Sequence, residues 1–203
     1  MKYFIELTLL DNRDIALHKL WSKIYDQLHL RLVEAKNLRG QTNIGVSFPD
    51  YQFDAAHNIH MIGSKLRVFS PIKLSLEQID LRKHLKHWLD YIHITSIREI
   101  PKEINGYAIY KRTRIHGQNA INRKIMRHAA YKAEKENITY EEAIQGYQHW
   151  SISQTIPPYI GINSATSKQF LRLYIEKVVV SDPTVELLFS TYGLSSDSSV
   201  PEF

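Results

Sequence analysis

Apolar residues recur at Leu17, Leu20, Trp21, Ile24, Leu28 and Leu32, a three-and-four spacing that puts them on one stripe of a helix over Ile15 to Ala35. A helix of that length runs roughly 30 Å, and its oily stripe has to be buried against a sheet or another helix. Just before it, Lys2 to Leu10 alternates apolar and polar residues, with Tyr3, Ile5 and Leu7 on one side, and reads as a strand. Asn12 and Asp14 are candidate caps between the two, with Asp14 the better placed.

The periods continue to alternate. Asn43 to Phe48 reads as a short strand stopped by Pro49, and Lys65 to Phe69 as another. Leu74 to Leu89 has helical spacing and is opened by Ser75 with Gln78 three residues on, the capping-box pattern. Tyr91 to Ile97 then reads as a strand that ends before Pro101. The order strand, helix, strand, strand, helix, strand predicts an α+β fold whose residues 1–100 form a ferredoxin-like (split βαβ) domain. Such a fold licenses no function by itself.

Pro101 to Gly106 marks a boundary, so 101–203 is expected as a second domain. It contains a strand-like Tyr107 to Ile115, a basic helix from about Gln118 to Lys135, and a short helix Tyr140 to Tyr147 opened by Thr139 with Glu142. Late strands near Phe170 to Val180 and Val185 to Phe189 make a small sheet before a Gly/Ser/Asp-rich tail.

Composition narrows the chemistry. Cysteine is absent, which removes disulfides, thiol nucleophiles and cysteine-ligated metals together. No apolar run approaches the eighteen residues of a membrane helix, and Met1 to Glu6 does not begin a signal peptide. A cytoplasmic protein with no membrane partner is the expectation. Between Lys111 and Glu136 stand eight basic and two acidic residues, a net of +6 against +5 for the whole chain. The entire basic excess therefore lies in one segment, the electrostatic footprint of an anionic partner.

Within that segment Arg123, Lys124, Arg127, Tyr131 and Lys135 share one side of the helix, and Ile121, Ile125 and Ala129 share another. Arg112, Arg114 and His116 alternate along the preceding strand and project from one face. Forked guanidinium groups suit phosphates and guanine edges. Helix and strand together favour nucleic-acid binding over a plain solvated surface.

Catalytic signals are weaker. There is no phosphate-binding loop and no GxGxxG. His57 with His60, and His84 with His87, have metal-like spacing, but neither pair has the flanking glutamate of a zinc-protease motif, and no metal is expected. His29 lies beside the apolar stripe, where histidines are usually packing residues. Asn163 to Ser167 reads as a polar turn, and Tyr192-Gly193-Leu194-Ser195 as a turn with a packed tyrosine.

A resemblance joins these segments. Gly45-Val46-Ser47-Phe48-Pro49-Asp50, the Tyr192-Gly193-Leu194-Ser195 ending and Val200-Pro201-x-Phe203 resemble the repeat-processing endoribonucleases of type I-F CRISPR systems, with matching length, segment order and basic helix. The resemblance implies a hydrolase of antiviral defence that binds the CRISPR repeat stem-loop in precursor RNA. It would cut at the 3′ base of the stem without metal or cofactor, and remain on the mature RNA with the other surveillance-complex subunits. By position it implies that His29, Ser164 and Tyr192 are catalytic, with Thr166 as a second hydroxyl. The reaction implied is attack of a ribose 2′-hydroxyl on the adjacent phosphate, giving a 2′,3′-cyclic phosphate. Histidine, which titrates near neutrality, suits the proton transfer.

The RNA-binding positions it implies are Arg123, Lys124, Arg127 and His128 on the helix, Arg112 as a base reader, and Arg114 where relatives often have glutamine. Lys111 belongs to the same basic run. Phe170 stands one residue from the stem-capping aromatic position, where Leu171 falls. Two rivals remain: a non-catalytic subunit that binds the RNA hairpin, and a DNA-binding module using the same basic face.

Overall fold

The computed structural model of the chain describes residues 1–115, 117–147, 155–163 and 169–203. They form two packed units, one of Met1–Thr113 with Pro157–Phe203 and one of Arg114–Ile156.

The first unit holds a mixed α/β arrangement. Strand β1 (Tyr3–Leu9) leads through a loop to helix α1 (Leu17–Glu34), followed by β2 (Gln41–Thr42), β3 (Gly45–Ser47), the hairpin β4 (Gln52–Asp54) and β5 (Ile59–Met61), and β6 (Lys65–Ser70). Then come α2 (Lys73–Ile79), α3 (Leu81–His84), a 3-10 turn at Lys86–Trp88, β7 (Ile92–Ile94), β8 (Arg98–Glu99) and β9 (Gly106–Thr113). The antiparallel sheet runs β3-β6-β1-β7, with β8 also on β1. Ile5, Leu7 and Leu9 of β1 are buried in the same core as the α1 stripe from Leu20 through Leu32. Leu17, at the helix start, is exposed.

After the second unit the chain returns as β10 (Tyr159–Asn163), β11 (Phe170–Val180), β12 (Phe189–Ser190) and β13 (Val200–Glu202). These build a second antiparallel sheet, β10-β11-β9-β13, while β12 pairs with β2. Phe48 and Tyr110 join the two sheets. Both are buried, their rings meet edge-on at 5.4 Å, and the Tyr110 hydroxyl donates to the Phe48 carbonyl at 3.2 Å and to Glu202 Oε1 at 3.1 Å.

Several local expectations are corrected. Asn12, not Asp14, organises the entry to α1: its Oδ1 accepts from the amides of Asp14 at 3.1 Å and Ile15 at 2.7 Å. Ser75 does not cap α2, which begins two residues earlier at Lys73; its hydroxyl accepts from Asn43 Nδ2 instead. The expected helix to Leu89 breaks at Asp80, which adopts a left-handed φ of 34° and caps α3 through the Lys83 amide. Aspartate tolerates that conformation better than most residues and is a strong N-cap. Val185 to Leu188 forms no strand. The serine-rich tail is structured, because Ser198 is buried and its hydroxyl accepts from the Leu188 amide, supplying a bond that a ladder would otherwise make. Val200–Glu202 is the strand that follows.

The second unit contains α4 (Gln118–Glu136) and α5 (Tyr140–Gln145). Ile121 and Ala129 of α4 and Ala143 of α5 are buried, as the apolar stripe requires. The Thr139–Glu142 capping box forms as read from the sequence, and its bonds hold the Glu142 carboxyl below the usual range. Strand β9 ends at Thr113, so the alternation that placed Arg112, Arg114 and His116 on one face stops there. Arg114 begins the second unit, and His116 lies outside the described residues.

Candidate active site

Helix α1 brings one edge of its surface to the turn after β12. Tyr25 and His29 are one helical turn apart and bond to adjacent carbonyls of that turn. The Tyr25 hydroxyl donates to Tyr192 O at 2.7 Å, and His29 Nδ1 lies 2.8 Å from Thr191 O. Burial, followed by the proximity of Tyr192, pushes the Tyr25 phenol upward, so it stays a donor across the physiological range. A carbonyl oxygen can only accept, so His29 Nδ1 carries a hydrogen. In the neutral ring the free lone pair is then on Nε2, and Nε2 is the atom that gains and loses the proton.

The ring of Tyr192 covers the half-buried imidazole. Their centroids are 4.2 Å apart and their planes differ by 8°, a parallel stack. On the Tyr192 ring in turn sits the guanidinium of Arg112, 5.6 Å from the centroid. A cation over an aromatic face is attracted by the ring quadrupole. Arg112 is exposed, so its donors remain open to a ligand.

The turn owes its shape to the two motifs that carried the resemblance. Gly193 has φ of +70° and its carbonyl accepts from the Val46 amide at 3.0 Å. A Cβ at Gly193 would lie 2.6 Å from Val46 Cγ1, and one at Gly45 would lie 2.6 Å from the Phe189 ring. Both glycines are therefore places where only backbone fits. The Ser190 hydroxyl closes the turn by donating to Leu194 O at 2.9 Å.

A second grip on the same helix sits three residues before His29. Asp26 accepts from Asn163, the last residue of β10, at both its backbone amide and its side-chain amide. Ser164 and Thr166, expected as catalytic hydroxyls, lie outside the described residues.

The RNA-binding candidates fall in different places. Arg112 lies at the His29–Tyr192 stack. Lys111, its strand neighbour, points to the opposite face and pairs with Glu176 at 3.2 Å. Phe170 is exposed on that outer face too, its ring packed across Gly161; Leu171 points the other way, opposite Ile162. Arg123, Lys124, Arg127 and His128 are exposed on α4, with Arg123 Nε donating to Asn119 O and the His128 ring 6.4 Å from that of Tyr147. Among the described residues no three His, Asp or Glu side chains cluster as a metal site; His57 bonds Asp54 at 2.6 Å within the β4–β5 hairpin. No helix among them is long and apolar enough to cross a membrane.

Sequence reasoning missed Tyr25, Asp26 and the Thr191 carbonyl. For Tyr25 a signal existed, since it precedes His29 by four residues on one helix face.

Residues 4–203 match the profile of a family described as CRISPR-associated protein (Cas_Csy4). The chain belongs to this family. It is 26% identical over 205 residues to a CRISPR-associated endonuclease Cas6/Csy4 of Escherichia coli (strain UTI89 / UPEC), with 100% of both chains covered. A protein of the same description from Pseudomonas aeruginosa (strain UCBPP-PA14) is 22% identical over 203 residues, again with 100% of both covered. Among solved structures, one described as an RAMP protein binding different RNA substrates overlaps with a TM-score of 0.38 at 10% identity, over 98% of this chain and 99% of its own. A CRISPR associated protein Cas6 overlaps with a TM-score of 0.31 at 13% identity, over 99% and 98%. Membership in Cas_Csy4 spans the His29 helix, the Val46 strand and the Tyr192 turn together.

Proposed function

We propose that this Cas_Csy4 protein is the endoribonuclease that processes CRISPR RNA by cutting the repeat stem-loop at its 3′ base. The observation that carries the catalytic reading is the Nδ1 bond of His29 to Thr191 O, which leaves Nε2 as the proton-exchanging atom. In this reading Nε2 takes the proton of a ribose 2′-hydroxyl as that oxygen bonds to the adjacent phosphorus. The phosphorus–O5′ bond breaks, the 5′ oxygen gains a proton from solvent, and the products are a 2′,3′-cyclic phosphate and a 5′-hydroxyl. The attacking oxygen belongs to the substrate, so the reaction requires no metal. DNA, which lacks that oxygen, is not cut.

Ser164 positions the 2′-hydroxyl, with Thr166 as the second hydroxyl. Tyr192 fixes the plane of the imidazole by stacking, and positioning of this kind is a large part of catalysis without a cofactor. Arg112 and Arg114 read bases near the foot of the stem, and Lys111 adds a further contact to RNA. Arg123, Lys124, Arg127 and His128 line its groove, and Phe170 caps the stem. The strand order β3-β6-β1-β7 supports reading residues 1–100 as a ferredoxin-like domain that carries the histidine, with 101–203 as the RNA-binding half. After cleavage the protein stays on the mature RNA as a subunit of the type I-F complex in the cytoplasm.

The test is cleavage of the cognate repeat hairpin in excess EDTA by wild type and His29→Ala. Cutting that leaves a cyclic phosphate, lost in His29→Ala while hairpin binding persists, is the expected result. Binding without cutting by the wild type would reduce the protein to an RNA-holding subunit.

A further inference from the structure

Strands β10 and β11 turn two different faces to their surroundings. Ile160, Ile162, Leu173 and Ile175 alternate into the core, so Tyr159, Phe170, Arg172 and Tyr174 stand together on the outer face. A solvated strand face usually carries small polar and charged residues; this one carries a row of planar groups. The Phe170 ring lies on the backbone of Gly161, where a Cβ would come 2.7 Å from its Cε2 and Cζ, and it is 58% exposed. The Arg172 guanidinium is 5.1 Å from the centroid of the Tyr159 ring, and that ring is 5.4 Å from the ring of Tyr174, its cross-strand partner. The side chains of Tyr174 and Tyr159 beside Arg172 favour its charge. Tyr159 is 46% exposed, and Arg172 is exposed as well. Glu176, the carboxylate of this face, is engaged by Lys111 at 3.2 Å and by the Thr113 hydroxyl at 3.0 Å. The aromatic end of the face is therefore cationic.

Exposed rings around a guanidinium suit a ligand that is itself both planar and anionic. The bases of unpaired RNA stack on aromatic faces and arginine planes, and their phosphates meet the cation. An apolar protein surface would instead have to bury the Arg172 charge. Residues on one strand face recur every ~6.6 Å, and a sheet that presents aromatics in this way stacks about two or three bases. The two faces of β9 decide which strand of RNA this is. Arg112 and the His29–Tyr192 stack lie on the inner side, where the 3′ strand has to run to be cut, and Lys111 lies with the planar row on the outer side. We propose that the outer face of β10–β11, through Tyr159, Arg172 and Tyr174, binds the unpaired RNA immediately 5′ of the repeat stem, continuing from Phe170 at the stem's foot. The inference rests on the reading above of a repeat-hairpin binder with Phe170 capping the stem. That 5′ strand stays joined to the stem after the cut, so the surface holds product rather than promoting cleavage.

The experiment measures Kd for the repeat stem-loop alone and with about six unpaired nucleotides added on its 5′ or its 3′ side. Each RNA carries a 2′-deoxy sugar at the cut position, so that none is consumed. Wild type should bind the 5′-extended RNA roughly 10-fold more tightly than the bare stem-loop, the usual worth of a stacked base. The 3′ extension should add nothing. Tyr159→Ala and Arg172→Ala should each lose most of the 5′ gain while binding the bare stem-loop as wild type does. Tyr159→Phe keeps the ring and should keep the gain. Arg172→Ala should also lower the salt dependence of 5′-extended binding by about one phosphate contact. A 2-aminopurine in the 5′ extension should be quenched when wild type binds, a readout that needs no variant to fold. A 5′ extension that adds no affinity and shows no quenching overturns the inference. So does a gain that comes from the 3′ extension instead, or an equal loss on the bare stem-loop in both alanine variants. Failure of the wild type to bind even the bare stem-loop would sink the hairpin reading itself, and this inference with it.

Discussion

Adding one methyl group at Gly193 tests the joint between the two motifs directly. Gly193→Ala places a residue with a Cβ at φ of +70°, which costs about 1–2 kcal/mol for a side chain in the left-handed region. The new Cβ would also stand 2.6 Å from Val46 Cγ1 and 3.3 Å from Cγ2. Val46 is only 1% exposed, and its own amide bonds Gly193 O at 3.0 Å. It cannot retreat without breaking that bond, so the overpacking term is in the usual range of about 1–3 kcal/mol. The two terms together centre on about 3.5 kcal/mol, a Tm drop of roughly 7–14 °C for a chain of this size.

The terms separate in a double-mutant cycle. Val46→Ala removes both γ-methyls and by itself costs about 1–3 kcal/mol through lost burial and a cavity. Combined with Gly193→Ala, the clash disappears and the new methyl occupies part of the cavity, so the pair should be more stable than the sum by about 1–2 kcal/mol. The dihedral cost stays. Urea unfolding of the four proteins reads the cycle, and single-turnover cleavage of the hairpin reads its consequence. Gly193→Ala tilts the turn that carries Thr191 O and Tyr192, so cleavage should fall more than binding, with partial recovery in the double variant. A Gly193→Ala protein within about 0.5 kcal/mol of wild type, or strict additivity in the cycle, would refute the reasoning.

Alkaline stability follows from buried phenols: burial pushes Tyr25 and Tyr110 up, and Tyr51 up to about 12. Their neutral forms are favoured only when folded, so stability is intact below the ordinary tyrosine value near 10. It falls above that value by at most about 1.4 kcal/mol per pH unit for each residue. Of the twelve tyrosines, Tyr25 and Tyr110 should ionise at 295 nm only in step with loss of the circular-dichroism signal, with Tyr51 late, near pH 12; a smooth titration of all twelve near pH 10 in the folded protein would contradict it. In the second unit Thr139→Ala should weaken α5 by about 1 kcal/mol, seen as roughly fivefold faster amide exchange along that helix. Glu142 is held low by the same cap, so its contribution is present above the ordinary glutamate value near 4.3 and disappears as pH falls through its lower folded value; unchanged exchange at pH 3 and 6 would argue against the cap.

Elements governed by local periodicity could be read from the chain. The stripe of α1, the basic α4, the Thr139–Glu142 box and the span of β11 all depend on residues within one or two turns of each other. Where tertiary contact competes with local pattern, the reading failed. Ser75 looked like a cap but bonds Asn43, and Asp80 broke a continuous apolar pattern because its side chain could start a new helix. The β4–β5 hairpin has three-residue strands, too short for alternation to register. The candidate site shows the same divide. His29 and Tyr192 were named by resemblance, but their stack and the Tyr25 bond join residues more than 160 positions apart, which no window of sequence contains.

That separation bears on how the chemistry depends on the core. Ser22, Tyr25, Asp26 and His29 form a polar edge alongside the buried Trp21, Ile24, Leu28 and Leu32 of the same helix. Every residue of that edge reaches a segment after residue 157, so α1 carries the alignment of both the histidine turn and the end of β10. A helix moves as a rigid rod over a few turns, and its rotation is set by the seating of its apolar stripe. A shift in that seating would move Tyr25 and His29 against one segment and Asp26 against the other at once. Cores are packed too closely to yield smoothly, so such a shift is resisted by the whole Leu20-to-Leu32 stripe rather than by the surface bonds that the edge makes. The precision of the proposed site thus originates in the apolar spacing of α1, and the polar contacts transmit it.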